Sequence, residues 1–318
     1  MFENLIAALK AERRTIVFTE GPDARILEAT ARLLKDDLMD VILIGGVDEV
    51  KAAAAQGGFD IEKATIIDPA NYAEFDEMAQ KMFELRKGKM TADECRAALK
   101  KSNYFGTMLV KMGKADCLLG GATYSTADTV RPALQLIKTK PGNKIVSSCF
   151  IMVRPAASGE NEVLAMADCA INIKPNEDEL VEICKETVSC AKIFGVDPKV
   201  AFLSYSTLGS GKGEDVDKMR NACEKAKALM PDTPIGGEFQ FDAAVSPTVA
   251  KTKHISDGVG GRANTFIFPD INAGNIGYKI AQRLGNFDAY GPILLGLNAP
   301  INDLSRGCNA QEVYSMAI

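Results

Sequence analysis

Short apolar runs alternate with amphipathic stretches along most of the chain. Residues 15–18, 41–44 and 64–67 are short runs rich in β-branched side chains, which predicts strands. Apolar positions at helical spacing over residues 23–35 and 48–56 predict helices between them. This alternation favours a mostly parallel sheet with helices on both faces, which is a three-layer α/β fold.

The pattern continues with one irregular stretch. Two or three helices are predicted between residues 72 and 114, followed by a strand at 115–119. Apolar runs at 144–146, 149–153 and 162–173 are less regular and predict antiparallel hairpins. The alternation then predicts helix 177–194, strand 200–204, helix 214–230, strand 265–268, helix 274–284, strand 292–297 and a last helix from Ser305.

The length of 318 residues corresponds to about two domains. The turn-forming sequence KPGN at 140–143 marks a break, so we predict a first α/β domain at 1–145 plus 299–318 and a second at 146–298. The final helix would then return to the first domain. Two domains joined twice would leave a cleft between them, with residues 298–305 in it.

Composition excludes several classes of protein. The 42 acidic and 37 basic side chains are mixed along the chain, so neither nucleic acid nor a membrane surface is an expected partner. The eight cysteines include no C-x-x-C pair, which is typical of reduced core residues. The first apolar run is too short for a signal peptide or an anchor, so a cytoplasmic location is expected.

The start of the last predicted helix has the composition of an anion site. Ser305 is predicted to be the N-cap, which leaves backbone N–H groups and the positive end of the helix dipole free for a phosphate or carboxylate. Arg306 adds a fork of donors that suits two oxygens of one group. Glu312 follows Ser305 by seven residues, so on a helix it would return to nearly the same face.

A second candidate segment lies at residues 120–132, between a strand and a helix, where open α/β sheets bind ligands. It contains Ser125, Thr126 and Arg131 as candidate substrate-binding residues. Arg131 precedes Pro132, which predicts an extended residue just before a helix that begins at the proline. The alternative is a solvated loop arginine. Arg86, judged by sequence alone, is a surface arginine near a helix end.

Several common catalytic arrangements are absent from the sequence. The loop at 209–213 lacks the Walker A spacing, and no G-x-G-x-x-G follows the first strand. His254 is the only histidine, which removes Ser-His-Asp and Cys-His sites unless this residue serves. Cys308 lies near the predicted helix start, where its pKa could fall and it could act as a nucleophile. A packing role for this residue is the alternative.

Three separated segments carry a resemblance to a known family. They are STADTVRP at 125–132, ANTFIFPDINAGNIGYK at 263–279 and PINDLSRGC at 300–308. With them the chain resembles the phosphate acetyltransferases (phosphotransacetylases) of the phosphate acetyl/butyryltransferase family over essentially its whole length. The resemblance implies two α/β domains of the isocitrate/isopropylmalate dehydrogenase-like type and a homodimer, with neither metal nor other cofactor. It also implies reversible transfer of an acetyl group between coenzyme A and inorganic phosphate.

The resemblance also implies roles for single residues. Ser305 and Arg306 match the catalytic serine and arginine of the family, and Arg86 and Arg131 match its substrate-binding arginines. Glu312 stands where the family has a catalytic aspartate, which departs from the pattern by one methylene. Glu312 is then the expected base for the coenzyme A thiol, with Asp303 the next candidate.

The expected mechanism is direct attack of the coenzyme A thiolate on acetyl phosphate in a ternary complex. A covalent acetyl-Cys308 route is the competitor. The alternative functions are a phosphate propionyl- or butyryltransferase, a nicotinamide-dependent decarboxylating dehydrogenase and a non-catalytic acyl-CoA-binding protein. The dehydrogenase would need an aspartate set for a metal and a nucleotide pocket, neither of which the sequence reveals.

Overall fold

The computed structural model describes residues 2–156 and 159–318. The chain forms two compact units. The first unit contains Phe2–Pro141 and Leu297–Ile318, and the second contains Gly142–Gly296. None of the helices in the described part of the chain combines the length and apolarity that a membrane span requires.

The N-terminal segment of the first unit alternates strands and helices. In chain order it contains α1 (Phe2–Ala11), β1 (Thr15–Phe18), α2 (Ala24–Lys35), β2 (Asp40–Ile44), α3 (Val47–Gly57), β3 (Thr65–Ile67), α4 (Phe75–Arg86), α5 (Ala92–Leu99), α6 (Ser102–Lys111), β4 (Cys117–Gly120) and α7 (Thr126–Pro132). A 3₁₀ turn at Pro69–Asn71 precedes α4, and a π-helical turn at Ala133–Ile137 follows α7.

The second unit begins with a hairpin and then alternates. Its elements are β5 (Ser147–Pro155), β6 (Asn161–Ala167), α8 (Glu177–Ile193), β7 (Val200–Leu203), α9 (Glu214–Leu229), β8 (Ile235–Phe239), α10 (Phe241–Val245), α11 (Pro247–Thr252), β9 (Thr265–Ile267), α12 (Ile271–Leu284) and β10 (Asp288–Leu295). The described strands form one sheet of order β10-β5-β6-β9-β7-β8, in which β5 runs antiparallel to both neighbours and the other pairs are parallel.

The chain then returns to the first unit as β11 (Ile301–Asp303) and α13 (Ala310–Ala317). The sheet of this unit has the order β11-β4-β1-β2-β3, and all of its strand pairs are parallel. The chain leaves β1 towards β2 and β3 on one side, whereas β4 and β11 lie on the other side. The topological switch point of the sheet is therefore between β1 and β4.

Each sheet separates two hydrophobic cores, because successive side chains of a strand point to opposite faces. In β1, Ile16 and Phe18 pack with α2 and α13, whereas Val17 packs with α4, α5 and α6. In β5, Ile151 packs with α8 and α9, and Met152 lies in the core on the other face. Both units are three-layer α/β structures, and the predicted fold class is confirmed.

Most predicted elements are present, with three differences. Residues 144–146 form no strand, and the apolar run that was predicted to continue to residue 173 ends as a strand at Ala167. Helix α1, strands β8 and β11 and the short helices α10 and α11 were not predicted. The last helix begins five residues later than predicted, at Ala310 instead of Ser305.

Candidate active site

Three loops leave the carboxyl edge of the first sheet side by side, because β4 lies between β1 and β11. The loop after β1 contains Thr19 and Glu20, and the loop after β4 runs from Gly121 to Ser125. The loop after β11, which we call the Ser305 loop, comprises residues 304–309. Most candidate residues of the sequence analysis lie on the last two loops or on the helices that follow them.

The Ser305 loop is a turn and not the start of a helix. The Ser305 carbonyl accepts from the Cys308 N–H at 2.9 Å, and the Ser305 hydroxyl accepts from the Gly307 N–H at 3.2 Å. Helix α13 is capped by Asn309, whose side chain accepts from the Glu312 N–H at 2.9 Å, while the Glu312 carboxylate accepts from the Asn309 N–H at 2.9 Å. The prediction that Ser305 is the N-cap is wrong, because this reciprocal capping box fixes the start of the helix at Asn309.

The geometric argument for Glu312 fails with that helix start. Ser305 is not helical, so the seven-residue spacing does not place the two side chains on one helix face. Only one oxygen of Glu312, Oε2, is used in the capping box. The other, Oε1, accepts no hydrogen bond within residues 2–156 and 159–318, and the negative charge of Glu312 bears on the nearby Cys308 thiol. Its role as a base stays a prediction.

Asp303 joins the end of β11 to α7. Its two carboxylate oxygens accept from the Thr126 hydroxyl at 2.6 Å and from the Thr129 hydroxyl at 2.5 Å. Burial raises the pKa of Asp303, and the two threonine hydrogen bonds and the charge of Arg306 oppose that rise. Gly121 has φ +100°, and a Cβ there would collide with this carboxylate, so the close approach requires glycine.

The hydroxyls of the two candidate residues at the start of α7 donate within the protein. Thr126 donates to Asp303, and the Ser125 hydroxyl donates to Asp128 at 2.7 Å. The first hydrogen bond holds α7 against the end of β11, and the second lies within the first turn of α7. A substrate-binding role for Ser125 and Thr126 stays a prediction, and it would use the acceptor lone pairs of these hydroxyls.

Arg131 lies in the last turn of α7, not before a helix as predicted. A proline inside a helix normally leaves the carbonyl four residues earlier without a partner. For Pro132 that carbonyl belongs to Asp128, and it accepts from the side-chain amide of Asn103 at 2.8 Å. The helix therefore continues through Pro132, and Arg131 is exposed on its surface.

Arg131 lines a cavity of about 310 Å³ between α5, α6 and α7, together with Lys101 and Tyr104. Arg86, on α4, is half-buried and lies near this cavity. Its Nη1 donates to the Gln135 carbonyl at 3.4 Å, and the Gln135 side chain accepts from the hydroxyl of Tyr104, which lines the cavity, at 2.9 Å. Burial raises the pKa of Tyr104, and the charges of Arg131 and Arg86 oppose that rise. The structure thus brings Arg86 and Arg131 to one aromatic ring.

The candidate arginines differ from most other arginines of the first unit. Arg13, Arg14, Arg25 and Arg96 each form an ion pair with a carboxylate. The three candidate arginines, Arg86, Arg131 and Arg306, form no ion pair in the described part of the chain. A guanidinium without a carboxylate partner keeps its positive charge available for an anionic ligand, although Arg86 already uses Nε and Nη1 on Met90 and Gln135.

Cys308 is buried, and it is not in the first turn of a helix. Burial raises the pKa of the Cys308 thiol, although the nearby charge of Arg25 opposes the rise. The possibility that a helix N-terminus lowers this pKa is therefore not favoured, because the helix cap is Asn309. A protonated thiol is a weak nucleophile, so the packing role is favoured.

Glu20 of the loop after β1 and Arg25 of α2 make contacts that the sequence analysis did not anticipate. Arg25 donates to the backbone carbonyls of Ala122 and Arg306, and Glu20 accepts from the backbone amides of Gly121 and Thr123. The available signal was the sequence TEGPD at 19–23, which stands where a dinucleotide-binding fold has its glycines.

Comparison with known proteins extends these observations. The whole chain, residues 1–318, matches the family model described as Phosphate acetyl/butaryl transferase. A phosphate acetyltransferase from Bacillus subtilis is 51% identical over 303 residues, which cover 95% of this chain and 92% of the relative. The crystal structure of a phosphotransacetylase from Streptococcus pyogenes is 51% identical with a TM-score of 0.94, covering 100% of this chain and 97% of that one.

A more distant structural neighbour concerns the fold alone. It is a structure from Salmonella typhimurium, provisionally described as a 4-hydroxythreonine-4-phosphate dehydrogenase. It is 12% identical with a TM-score of 0.54, and the match covers 96% of this chain and 98% of that one. The predicted likeness to a dehydrogenase fold is consistent with this match.

Proposed function

The chain belongs to the phosphate acetyl/butyryl transferase family and is an acyltransferase, and on that premise we propose that it transfers an acetyl group reversibly between coenzyme A and inorganic phosphate. The substrates are acetyl-CoA, phosphate and acetyl phosphate. The observation that carries the proposal is the set of three candidate arginines without ion pairs, because every substrate of this reaction is an anion. Identity of 51% to a relative named phosphate acetyltransferase supports acetyl as the acyl group.

Arg306 is the group best suited to stabilise the transition state. Its guanidinium is exposed and close enough to Asp303 to influence the pKa of that carboxyl. As the thiolate attacks the acetyl carbon, the C–S bond forms, charge builds on the carbonyl oxygen and the C–O bond to phosphate breaks. A cation beside these oxygens lowers the barrier because the charge is larger in the transition state than in the substrate.

Glu312 is the proposed base that takes the proton from the thiol. The capping box fixes its carboxylate through Oε2 and leaves Oε1 available. Asp303 is less suited, because it is buried and each of its oxygens already accepts a threonine hydroxyl. The thiol of coenzyme A resembles that of cysteine, with a pKa of about 8.5, so a base increases the fraction of thiolate at neutral pH.

We expect Arg306→Ala to lower turnover by at least about a hundredfold, since loss of one such stabilising donor costs about 10²–10³ in rate. Steady-state kinetics in both directions provide the measurement. Arg13→Ala, at an exposed ion pair outside the candidate residues, is the control and should retain turnover. Near-normal turnover of Arg306→Ala would remove this residue from the mechanism.

Direct transfer is favoured over an acetyl-Cys308 intermediate, because the thiol is buried and burial raises its pKa. Cys308→Ala should stay active, and wild-type enzyme mixed with acetyl phosphate alone should give no burst of acetyl-enzyme. A burst that disappears in Cys308→Ala would establish the covalent route instead.

The decisive experiment measures acetyl phosphate formation from acetyl-CoA and phosphate, with propionyl-CoA and butyryl-CoA in parallel. Faster turnover of butyryl-CoA would favour the butyryl alternative, and binding of acyl-CoA without transfer would favour a non-catalytic binding protein. We also propose that transfer needs no metal or other cofactor. Activity should therefore survive EDTA and desalting and should not depend on NAD(P).

A further inference from the structure

The switch point between β1 and β4 is occupied by a side chain of the protein itself. At this position of a doubly wound sheet, backbone N–H groups commonly hold an anionic group of a ligand. Here the N–H groups of Gly121 and Thr123 both donate to Oε1 of Glu20, each at 3.0 Å, and the Thr123 hydroxyl donates to the same oxygen at 3.3 Å. Glu20 is only 7% exposed.

The second carboxylate oxygen of Glu20 is also used. Oε2 accepts from the Thr19 hydroxyl at 2.8 Å, and the Thr19 and Tyr124 hydroxyls share a hydrogen bond of 2.8 Å. A Cβ on Gly120 would collide with both of these hydroxyls, so the glycine is required for this arrangement. Oε1 is thus committed to the loop after β4, and Oε2 is committed to Thr19, whose hydroxyl contacts Tyr124 of that loop.

Arg25 binds the same loop as a hydrogen-bond donor, whereas Glu20 binds it as an acceptor. Its Nη2 donates to the Ala122 carbonyl at 2.9 Å, which lies between the two amides that Glu20 accepts. Its Nη1 donates to the carbonyls of Arg306 at 2.8 Å and Cys308 at 3.2 Å. Asp23 holds the guanidinium in place with an ion pair of 2.8 Å.

We propose that Glu20 is a positioning residue, an internal anion that holds the amides of Gly121 and Thr123. Arg25 binds the same loop at Ala122 and also binds the Ser305 loop. Together the two residues set the position of the Ser305 loop relative to the loop that leads into α7. Glu20 acts through Arg306, which lies on the Ser305 loop, and through Arg131, which lies on the helix α7 that follows the other loop, and it does not contact substrate. The inference rests on the proposed function, because its effect on turnover is measured through acyl transfer.

Glu20→Ala and Glu20→Gln test the proposal at a temperature where circular dichroism shows both variants folded. We expect kcat to fall at least about tenfold in both, since a misplacement of about 1 Å can cost about a hundredfold. Glutamine fills the space but presents a single acceptor oxygen and adds N–H donors. A residue that only adds stability would leave kcat per folded molecule unchanged.

Formate supplies a small carboxylate that fits the space left by Glu20→Ala. We expect formate to restore kcat of Glu20→Ala saturably, relative to wild type at the same formate concentration, and to leave Glu20→Gln unchanged. Hydrogen exchange at the Gly121 and Thr123 amides should be faster in Glu20→Ala and should slow again with formate. Glu49→Ala is the matched control, because this exposed carboxylate lines the same cavity of about 560 Å³.

The two readouts separate failure of this inference from failure of the proposed function. Wild-type kcat in both Glu20 variants, or a loss that formate does not reverse in folded Glu20→Ala, would overturn the positioning role. Unchanged exchange at the two amides would overturn it even if activity falls. If the wild-type chain transfers no acetyl group, the proposed function fails, and the exchange experiment still decides whether Glu20 holds these amides.

Discussion

Carboxylates at the carboxyl edge of the first sheet have different electrostatic environments. Burial raises the pKa values of Glu20 and Asp303, although both carboxylates accept several hydrogen bonds. Asp23 behaves in the opposite way, because its hydrogen bonds and ion pair with Arg25 lower its pKa. At the residue scale, therefore, the neighbours of each carboxyl decide its role.

We expect Glu312→Gln to reduce turnover by at least about a hundredfold, which is the usual contribution of a general base. Glutamine also completes a capping box at this helix position, so α13 should keep its start and the free energy of unfolding should change little. Kinetics over about pH 6–9 and urea titrations provide the two measurements. If Glu312→Gln is as active as wild type throughout, another group removes the proton.

The raised pKa of Glu20 predicts a pH-dependent difference in stability between wild type and Glu20→Gln. A carboxyl with a raised folded-state pKa binds its proton more tightly when folded, so this contribution to stability is complete below the ordinary value of 4.5. It is lost as the pH rises through the higher folded-state value. We expect the free energy of unfolding of wild type to fall relative to that of Glu20→Gln as the pH rises from 4.5 towards neutrality.

Urea unfolding of both proteins across this range measures the difference, and Glu49→Gln at an exposed position is the control. A wild-type advantage that grows as the pH rises would contradict the raised pKa.

At the scale of elements, the start of α13 decides how the candidate residues are presented. Asn309 and Glu312 cap the helix reciprocally, so Ser305, Arg306 and Gly307 stay in an exposed turn. Val313 on the same helix is fully buried in the core that also contains Ile26 and Leu33 of α2. The buried helix thus anchors one end of the Ser305 loop, and β11 anchors the other.

Asn309→Ala should destabilise the protein by about 1 kcal/mol, because it removes the acceptor for an N–H of the first turn. Ser305→Ala should leave the free energy of unfolding unchanged, since Ser305 caps no helix. Urea titration of both variants gives the comparison. A larger loss in Ser305→Ala than in Asn309→Ala would contradict the observed helix start.

Sequence periodicity predicted the regular elements well and the irregular ones poorly. Residues such as Ile16, Val17 and Phe18 are apolar on both faces of a buried strand, and this signal is local. Strand β8 has the sequence IGGEF, and its two glycines hide the strand pattern because glycine has little strand preference. Such a strand forms because β7 pairs with it, which a local window does not include.

The candidate residues likewise divide into features that a local sequence pattern predicts and features that depend on contacts between distant segments. Asn309-x-x-Glu312 is a capping-box pattern that is visible in the sequence. The helix start was instead predicted at Ser305, because a serine followed by an arginine also resembles a helix start that binds an anion. The continuation of α7 through Pro132 depends on Asn103, which is distant in sequence. The contacts of Glu20 and Arg25 likewise join segments about 100 and 280 residues apart, so only the folded chain reveals them.

At the scale of the whole molecule, helix α12 exposes an apolar stripe. Ile276, Ile280 and Leu284 are spaced four residues apart on one helix face and are 57%, 53% and 80% exposed. Such a stripe is typical of a surface that another protein covers. We propose that it contributes to the homodimer that the family resemblance implies.

We expect Ile280→Glu to shift the protein towards monomer in sedimentation velocity, because it places a charge in the apolar contact. Lys279→Glu, at the neighbouring position on the same helix, is the control and should not change the oligomeric state. A wild-type chain that sediments as a monomer at micromolar concentration would contradict the homodimer.

The return of the chain to the first sheet also has a consequence for protein synthesis. Strand β11 occupies an edge of that sheet beside β4, although 180 residues lie between Gly120 at the end of β4 and Ile301 at the start of β11. While residues 297–318 are still being translated, β4 is itself an unpaired edge strand and can pair with other chains. We therefore expect a chain that ends before Leu297 to aggregate more readily than the full chain when the two are compared by light scattering.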